Sequence, residues 1–295
     1  MQILFRLLSY LPLRCLQALG AAMGWLMWGL SPRLRQRFAS HVAQAGVPMP
    51  QARAAIAASG RMLAELPWLW LRARSVGVLG RVQWRGQDLF DAALAAQKGV
   101  ILALPHLGCW EMIGQCLAEQ YGTPAAGQAR SLHGPLLALY RPPRKPWLQP
   151  LVERSRQRPG MQTVPTNVMG VRSLLKALRA GGYTAILPDQ VPPQGQGVWA
   201  PFFGQPAYTM TLLPRLAQQT GAAVLLCWCE RLPAGRFAMH FEALGAAEQQ
   251  LLCSPSSPPE DSARAMNAAL ERTILRCPGQ YLWTYNRYKP PRQEP

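Results

Sequence analysis

The chain reads as a single α/β domain set behind an apolar, membrane-anchoring N-terminal helix. Three observations predict this. From residue 100 onward, short apolar and partly β-branched runs alternate with helix-like stretches, the rhythm of strands and crossover helices. Residues 15 to 32 contain no charged side chain. A length of 295 residues suits one sizeable core with a short appendage rather than two independent domains.

The N-terminal run, CLQALGAAMGWLMWGLSP over residues 15 to 32, continues upstream from Leu13 to Ile3 with Arg6 and Arg14 as interruptions. About 20 apolar residues cross the hydrocarbon layer. Residues 1–32 are therefore expected to anchor the chain, either spanning with a tilt or lying obliquely in the interface. The run ends in Trp25, Trp28 and the Arg-rich SPRLRQRF rather than in small residues, which argues against a cleaved signal peptide. Arg33, Arg35 and Arg37 follow it directly and place the remaining domain, residues 33–295, on the cytoplasmic side.

Apolar positions recur at helical spacing over residues 51 to 74, with Pro67 expected to kink the helix. Next come a strand at Val100 to Leu104 with a helix over 109 to 120, and a strand at Tyr183 to Leu187 with a helix over 209 to 220. Strands at Ala222 to Cys229 and Phe237 to Ala243 and a helix over 261 to 276 complete the pattern. Pro-rich connections lie at 141 to 150, 188 to 206 and 254 to 259, the middle one long enough for a functional loop.

Composition narrows the function. Apolar residues make up 49% and charged residues 15%, against roughly 25% charged in ordinary soluble domains, so part of the surface is expected to meet something other than water. The formal net charge of +17 calls for an anionic partner. Phospholipid headgroups, a phosphorylated lipid, an acidic carrier protein and nucleic acid all fit, and charge does not choose among them. The arginines are scattered, with no zinc-finger or RNP-type pattern, which disfavours nucleic acid. Seven cysteines in apolar runs read as reduced thiols, and Cys227-Trp-Cys229 is too tight for a Cys-x-x-Cys metal pair, so no metal site is expected. A G-x-S-x-G elbow, an H-E-x-x-H helix and a P-loop are all missing from the sequence. Gly195-Gln-Gly197 follows Pro192-Pro193 rather than a strand, so it is no dinucleotide fingerprint.

The chemistry points to GVILALPHLGCWEMIGQCLAEQ, a buried strand ending near Pro105, a turn through Gly108 and a helix starting near Cys109. His106 falls at the carboxyl end of the strand, where ligands of open α/β sheets gather and a helix N-terminus offers N–H groups. His106 and Glu111 would lie about 140° apart on one helix, so they meet only if the turn intervenes. A carboxylate on one imidazole nitrogen leaves the other free to take a proton from an attacking hydroxyl.

His106-Leu-Gly-Cys-Trp-Glu111 resembles the H-x4-D/E motif of glycerolipid and lipid A acyltransferases. Leu139-Tyr140-Arg141-Pro142-Pro143, Pro188-Asp189-Gln190, Pro201-Phe202-Phe203-Gly204 and Pro278-Gly-Gln280-Tyr281-Leu-Trp283 occur in the order found in the late acyltransferases of lipid A biosynthesis. Lys145 departs from the Asn often found after the Tyr-Arg motif. The resemblance implies a central mixed sheet flanked by helices, of the glycerol-3-phosphate acyltransferase type. It also implies an enzyme facing the cytoplasm at the bacterial inner membrane, moving an acyl chain from acyl carrier protein or coenzyme A to a hydroxyl of a lipid A precursor. No cofactor is implied; the partners are the carrier protein, a phosphorylated glycolipid and membrane phospholipids. His106 would be the general base and Glu111 would orient it, with no covalent acyl-enzyme. Arg141 would pair with a substrate phosphate or stabilise charge. Asp189, beside Gln190, would orient the acceptor or hold Arg141, and Phe202 and Phe203 would line an acyl pocket. An acyltransferase acting on a lysophospholipid or another glycolipid, such as a phosphatidylinositol mannoside, is the rival reading.

Overall fold

The computed structural model describes residues 2–122, 133–140, 152–153 and 158–293. Arg141 and the rest of its Pro-rich connection lie outside the described residues.

The apolar N-terminal run is two helices, α1 (Gln2–Ser9) and α2 (Leu13–Leu30), separated at Pro12. At about 1.5 Å per residue α2 is roughly 27 Å long, and no described helix is long and apolar enough to cross a membrane. One face of α2, carrying Leu13, Leu16, Gly20 and Gly24, is buried. It packs on α5 (Ala54–Ala64), which follows α3 (Pro32–Gln44) and α4 (Met49–Ala52). The helices nearly touch: a methyl group added at Gly60 would stand 2.0 Å from the Gly20 carbonyl oxygen. The expected kink is real, for α5 ends before Glu65 and the chain passes Pro67 into a π-helical turn, Trp68–Arg72. Short α6 (Ala73–Val76) leads to β1 (Val82–Arg85), α7 (Gln87–Ala95), β2 (Val100–Ala103) and α8 (Trp110–Gln120).

β3 (Leu136–Tyr140), β4 (Met161–Pro165), α9 (Val168–Arg179) and β5 (Tyr183–Ile186) follow, then a β6–β7 hairpin (Gly197–Phe202, Gln205–Met210). The chain closes with α10 (Leu212–Thr220), β8 (Ala223–Leu232), β9 (Arg236–Ala243), α11 (Ala246–Cys253) and α12 (Pro259–Arg276). The stretch over 188 to 206, expected to be one loop, therefore supplies a strand, and the helix expected from 209 starts at Leu212. Phe203 and Gly204 make the hairpin turn, both at positive φ, which matches the strand twist.

Seven strands form one mixed sheet in the order β1-β9-β8-β2-β5-β3-β4. β8, β2, β5, β3 and β4 run parallel; β9 is antiparallel to β8 and carries β1 with it. β2 is buried on both faces: Val100 and Leu102 enter one core and Ile101 and Ala103 the other. The first core holds α7, α8 and the π-helical turn; the second holds α9, α10, α12 and part of α3 and α5. Leu13 and Leu16 of α2 belong to the first core, so the apolar segment is packed into the domain it precedes. Cys227 and Cys229 sit side by side in that core, where burial lifts both thiols above their ordinary range.

Candidate active site

Two neighbouring parallel strands end in the same way, β2 in Leu104-Pro105-His106 and β5 in Leu187-Pro188-Asp189. The register pairs Ala103 with Ile186, and continuing it by three residues sets His106 opposite Asp189. The backbone ties them further, since Leu104 N donates to Ile186 O at 2.9 Å. Pro105 and Pro188 have no N–H to extend the ladder, so both chains leave the sheet at this edge.

The two side chains meet there. His106 Nδ1 lies 2.6 Å from Asp189 Oδ1, and the His106 backbone N–H donates to Oδ2 at 2.7 Å. With an ionised carboxylate as acceptor the proton belongs on Nδ1, which leaves Nε2 as the basic nitrogen. Gln190 Nε2 stands 2.9 Å from that Nε2 and covers it. Burial opposes charge on Asp189, but the facing His106, through charge and hydrogen bonds, and then Arg287 outweigh it, so the carboxyl titrates below its usual value. The carboxylate is 2% exposed and the imidazole 11%, so the base is largely buried with one edge toward solvent and its holder lies beneath it.

The turn that presents His106 is pinned on two sides. Gly108 N donates to Gln280 O at 3.1 Å, Cys109 N to Cys229 O at 2.7 Å and Leu282 N to His106 O at 3.1 Å. Gly108 has φ +63°, and a methyl group there would stand 2.0 Å from the Cys229 carbonyl oxygen, so glycine alone fits. The segment Pro278 to Trp283 is thus the brace of the histidine turn, with Leu107 bridged to Tyr281. Three N–H groups of the turn, those of Leu107, Gly108 and Cys109, already have carbonyl partners. Tyr281 is buried, and burial, together with the charge and hydrogen bond of Asp189, raises its phenol above the ordinary range. Arg287, which also faces Asp189, is held by Tyr208 O and Thr209 Oγ1 at 2.6 and 2.7 Å.

Glu111 occupies the first turn of α8, and its Oε1 accepts the Trp70 indole N–H at 2.8 Å. The resemblance gives Glu111 the role of orienting the imidazole; one hydrogen bond it makes here runs to Trp70. Asp189 and Gln190 meet the two ring nitrogens, while Trp110 packs edge-on against the ring at 4.7 Å between centroids. Glu111 ties α8 to the π-helical turn, where Trp70 also meets Phe5 of α1. Phe202 is sealed in the second core against Phe203, Tyr288 and the Arg287 guanidinium. Phe203 packs on Trp283 and donates its N–H to Glu271. The two phenylalanines expected to line an acyl pocket thus brace the hairpin on the Trp283 side of the site. Beside the imidazole, a narrow crevice runs between Met62, Gly108, Trp110 and Leu282.

Tyr281 and Arg287 as supports of Asp189 were missed from the sequence. The matched Leu-Pro-His and Leu-Pro-Asp strand ends carried the signal for the central pair.

Compared with known proteins, residues 1–290 match the family of bacterial lipid A biosynthesis acyltransferases. The chain is 28% identical over 69% of its length to a lipid A biosynthesis acyltransferase of Haemophilus influenzae, of which the match spans 58%. It is 25% identical over 78% of its length to the lipid A biosynthesis lauroyltransferase of Escherichia coli, spanning 68% of that protein. It is 32% identical over 49% of its length to a phosphatidylinositol mannoside acyltransferase of Mycobacterium tuberculosis, spanning 43% of it.

Proposed function

The chain belongs to the bacterial lipid A biosynthesis acyltransferase family, and from this we propose that it transfers an acyl chain from a thioester donor to a hydroxyl of a lipid A precursor. One observation carries the mechanism: a largely buried imidazole at a sheet edge, with Nδ1 held by the buried, ionised Asp189. His106 Nε2 takes the proton of the acceptor hydroxyl as its oxygen attacks the thioester carbonyl, and Asp189 stabilises the imidazolium that forms. The proton then goes to the leaving thiolate, so no acyl-enzyme is needed. Gln190 yields its place on Nε2 to the hydroxyl or donates to the developing oxyanion. Glu111 acts as a positioning residue through Trp70 rather than through the imidazole.

The donor is acyl carrier protein or coenzyme A, and the net charge of +17 favours the acidic carrier. The membrane is met in the plane of its surface, on the cytoplasmic side of the inner membrane. α2 buries one face on α5, while Leu19, Leu26, Met27 and Leu30 on its other side, like Ile3 and Leu7 of α1, are exposed. Arg141 remains the proposed partner for a substrate phosphate.

The test supplies acyl carrier protein loaded with a defined acyl chain and a lipid A precursor to the purified chain, and weighs the product by mass spectrometry. A product one acyl chain heavier is expected, and none with His106→Ala. The Mycobacterium tuberculosis relative favours one second reading, a phosphatidylinositol mannoside acceptor with the same chemistry. Acylation of that lipid and not of the lipid A precursor would select it.

A further inference from the structure

Further along the same edge of the sheet lies a second cavity, of about 560 Å³. Its wall brings together three arginines distant in sequence: Arg14 at the start of α2, Arg81 before β1, and Arg236 at the start of β9. Among the described residues no carboxylate lines it, and none of the three arginines has an ion-pair partner. Glu119, which holds the neighbouring turn, directs its carboxylate to Val78 N at 3.0 Å.

The guanidinium groups are set in place without being neutralised. Arg14 Nε donates to Ala234 O at 3.0 Å, leaving its terminal nitrogens for another acceptor. Arg81 lies over the Trp68 ring at 5.4 Å, which leaves the edge of its planar fork open. The two converge at the β8–β9 turn: a methyl group added at Gly235 would stand 3.4 Å from Arg14 Cγ and 3.8 Å from an Arg81 terminal nitrogen. Arg236 joins the converging Arg14 and Arg81 on the wall, all three exposed, and a multivalent oxyanion relieves the repulsion among them through bidentate hydrogen bonds. The cavity exceeds what a bare phosphate fills, so the anion arrives with a larger group attached.

The surroundings are apolar on the N-terminal side. Val76 on the wall is 51% exposed, and Tyr10 and Leu11, just before Arg14, are 65% and 40% exposed. The cavity therefore sits at a boundary between apolar and polar surface, where a lipid carries its phosphate. Cys229 is bridged to Gly108 of the histidine turn, and Ala234 lies five residues beyond it, past the end of β8 at Leu232, so at most about 16 Å away at about 3.3 Å per residue. That separates the cavity from His106 while leaving both within reach of one amphiphile.

We propose that Arg14, Arg81 and Arg236 form a lipid-phosphate subsite that receives the phosphate of a membrane lipid beside the α1–α2 surface. The proposal rests on the lipid-facing part of the functional reading and not on the role of His106. The test is retention of the purified full chain on four vesicle types: phosphatidylcholine alone, phosphatidylcholine with an equal part of phosphatidylglycerol, and phosphatidylcholine doped with a phosphorylated glycolipid before or after phosphatase treatment.

Arg81→Gln/Arg236→Gln is expected to lower the affinity for vesicles carrying an anionic lipid about tenfold or more beyond Arg179→Gln/Arg215→Gln, which removes the same charge from equally exposed positions elsewhere. Arg81→Lys/Arg236→Lys, which keeps the charge and loses the fork, is expected to fall part of the way. A defect shared by phosphatidylglycerol vesicles assigns the subsite to headgroups of the bulk membrane. A defect confined to the phosphorylated glycolipid and erased by phosphatase assigns it to the acceptor's own phosphate. Equal losses in the site pair and the control pair, or equal retention on vesicles with and without an anionic lipid, would overturn the proposal. His106→Ala loses turnover and keeps retention, so failure of the catalytic reading would be seen separately.

Discussion

Two buried carboxylates in this molecule each hold a nitrogen base, and they do so in opposite ways. Asp189 grips His106 at the carboxyl edge of the parallel strands, and the imidazole it holds reaches the surface. Glu65, at the end of α5, grips Arg231 on β8 with Nε and a terminal nitrogen at 2.7 to 3.0 Å, and both side chains are sealed, at 0% and 6% exposure. Gln17 of α2 adds a hydrogen bond to Glu65 at 2.9 Å, and Gln280 pairs with the Arg231 backbone in both directions. Burial weakens the Arg231 charge, but Glu65 more than restores it, so this cation never releases its proton. An imidazole, whose second nitrogen can take up and release a proton, is suited to moving one; a guanidinium, always charged and closed on all sides, is suited to fastening α2 and α5 to the sheet. The same contact, a carboxylate on a nitrogen donor, serves reaction in one place and architecture in the other.

Substitutions separate the two. His106→Ala is expected to cut turnover by about 10³- to 10⁴-fold and to lower the melting temperature as well, since Asp189 is left buried without its main partner. Asp189→Asn should cost about 10³-fold, because the amide no longer fixes the proton on Nδ1. Steady-state kinetics beside a thermal melt checks both. Asp189 also links stability to pH. Its folded carboxyl titrates below the unfolded value near 3.8, so its contribution is complete above that value and is lost as pH falls through the lower folded one. Acid titrations of wild type and Asp189→Asn should converge below pH 3.8.

Glu65→Gln is expected to act on stability first. It leaves Arg231 buried beside a neutral amide, at a cost of about 3 kcal/mol, read as an earlier midpoint in urea unfolding with the slope unchanged. If kcat at a temperature well below the melt fell as far as in Asp189→Asn, the division of labour between the two carboxylates would not hold.

Much of this comparison was legible in the sequence. The buried runs of β2, β5 and β8 carry their own signal because central parallel strands are apolar on both faces. β1 and β4 escaped because edge strands need little apolar pattern, and Val82–Arg85 alternates between half-buried and exposed. The β6–β7 hairpin escaped because its turn puts Phe203, not Asn or Gly, at positive φ. The N-terminal run was read as one helix, but Pro12 divides it, and the glycines that let α2 lie flat on α5 speak only once the partner helix is known. In the site, His106 was found by its place at a strand end, whereas its carboxylate was sought nearby in the chain and stands 83 residues away. Strand register decided that, and register between parallel strands is set by packing that no local motif displays.

The smallest expected effect is the sharpest on this point. Glu111→Gln keeps a carbonyl oxygen for the Trp70 indole N–H and removes the negative charge. If Glu111 positions α8 through that bond, the variant retains turnover within about tenfold of wild type, while Glu111→Ala, which frees the indole N–H, falls further. If Glu111 were instead the carboxylate behind the base, Glu111→Gln would lose about as much as Asp189→Asn, and the double variant would lose little more than either alone. Additive losses in that double variant are expected, because the two carboxylates meet different partners on different elements.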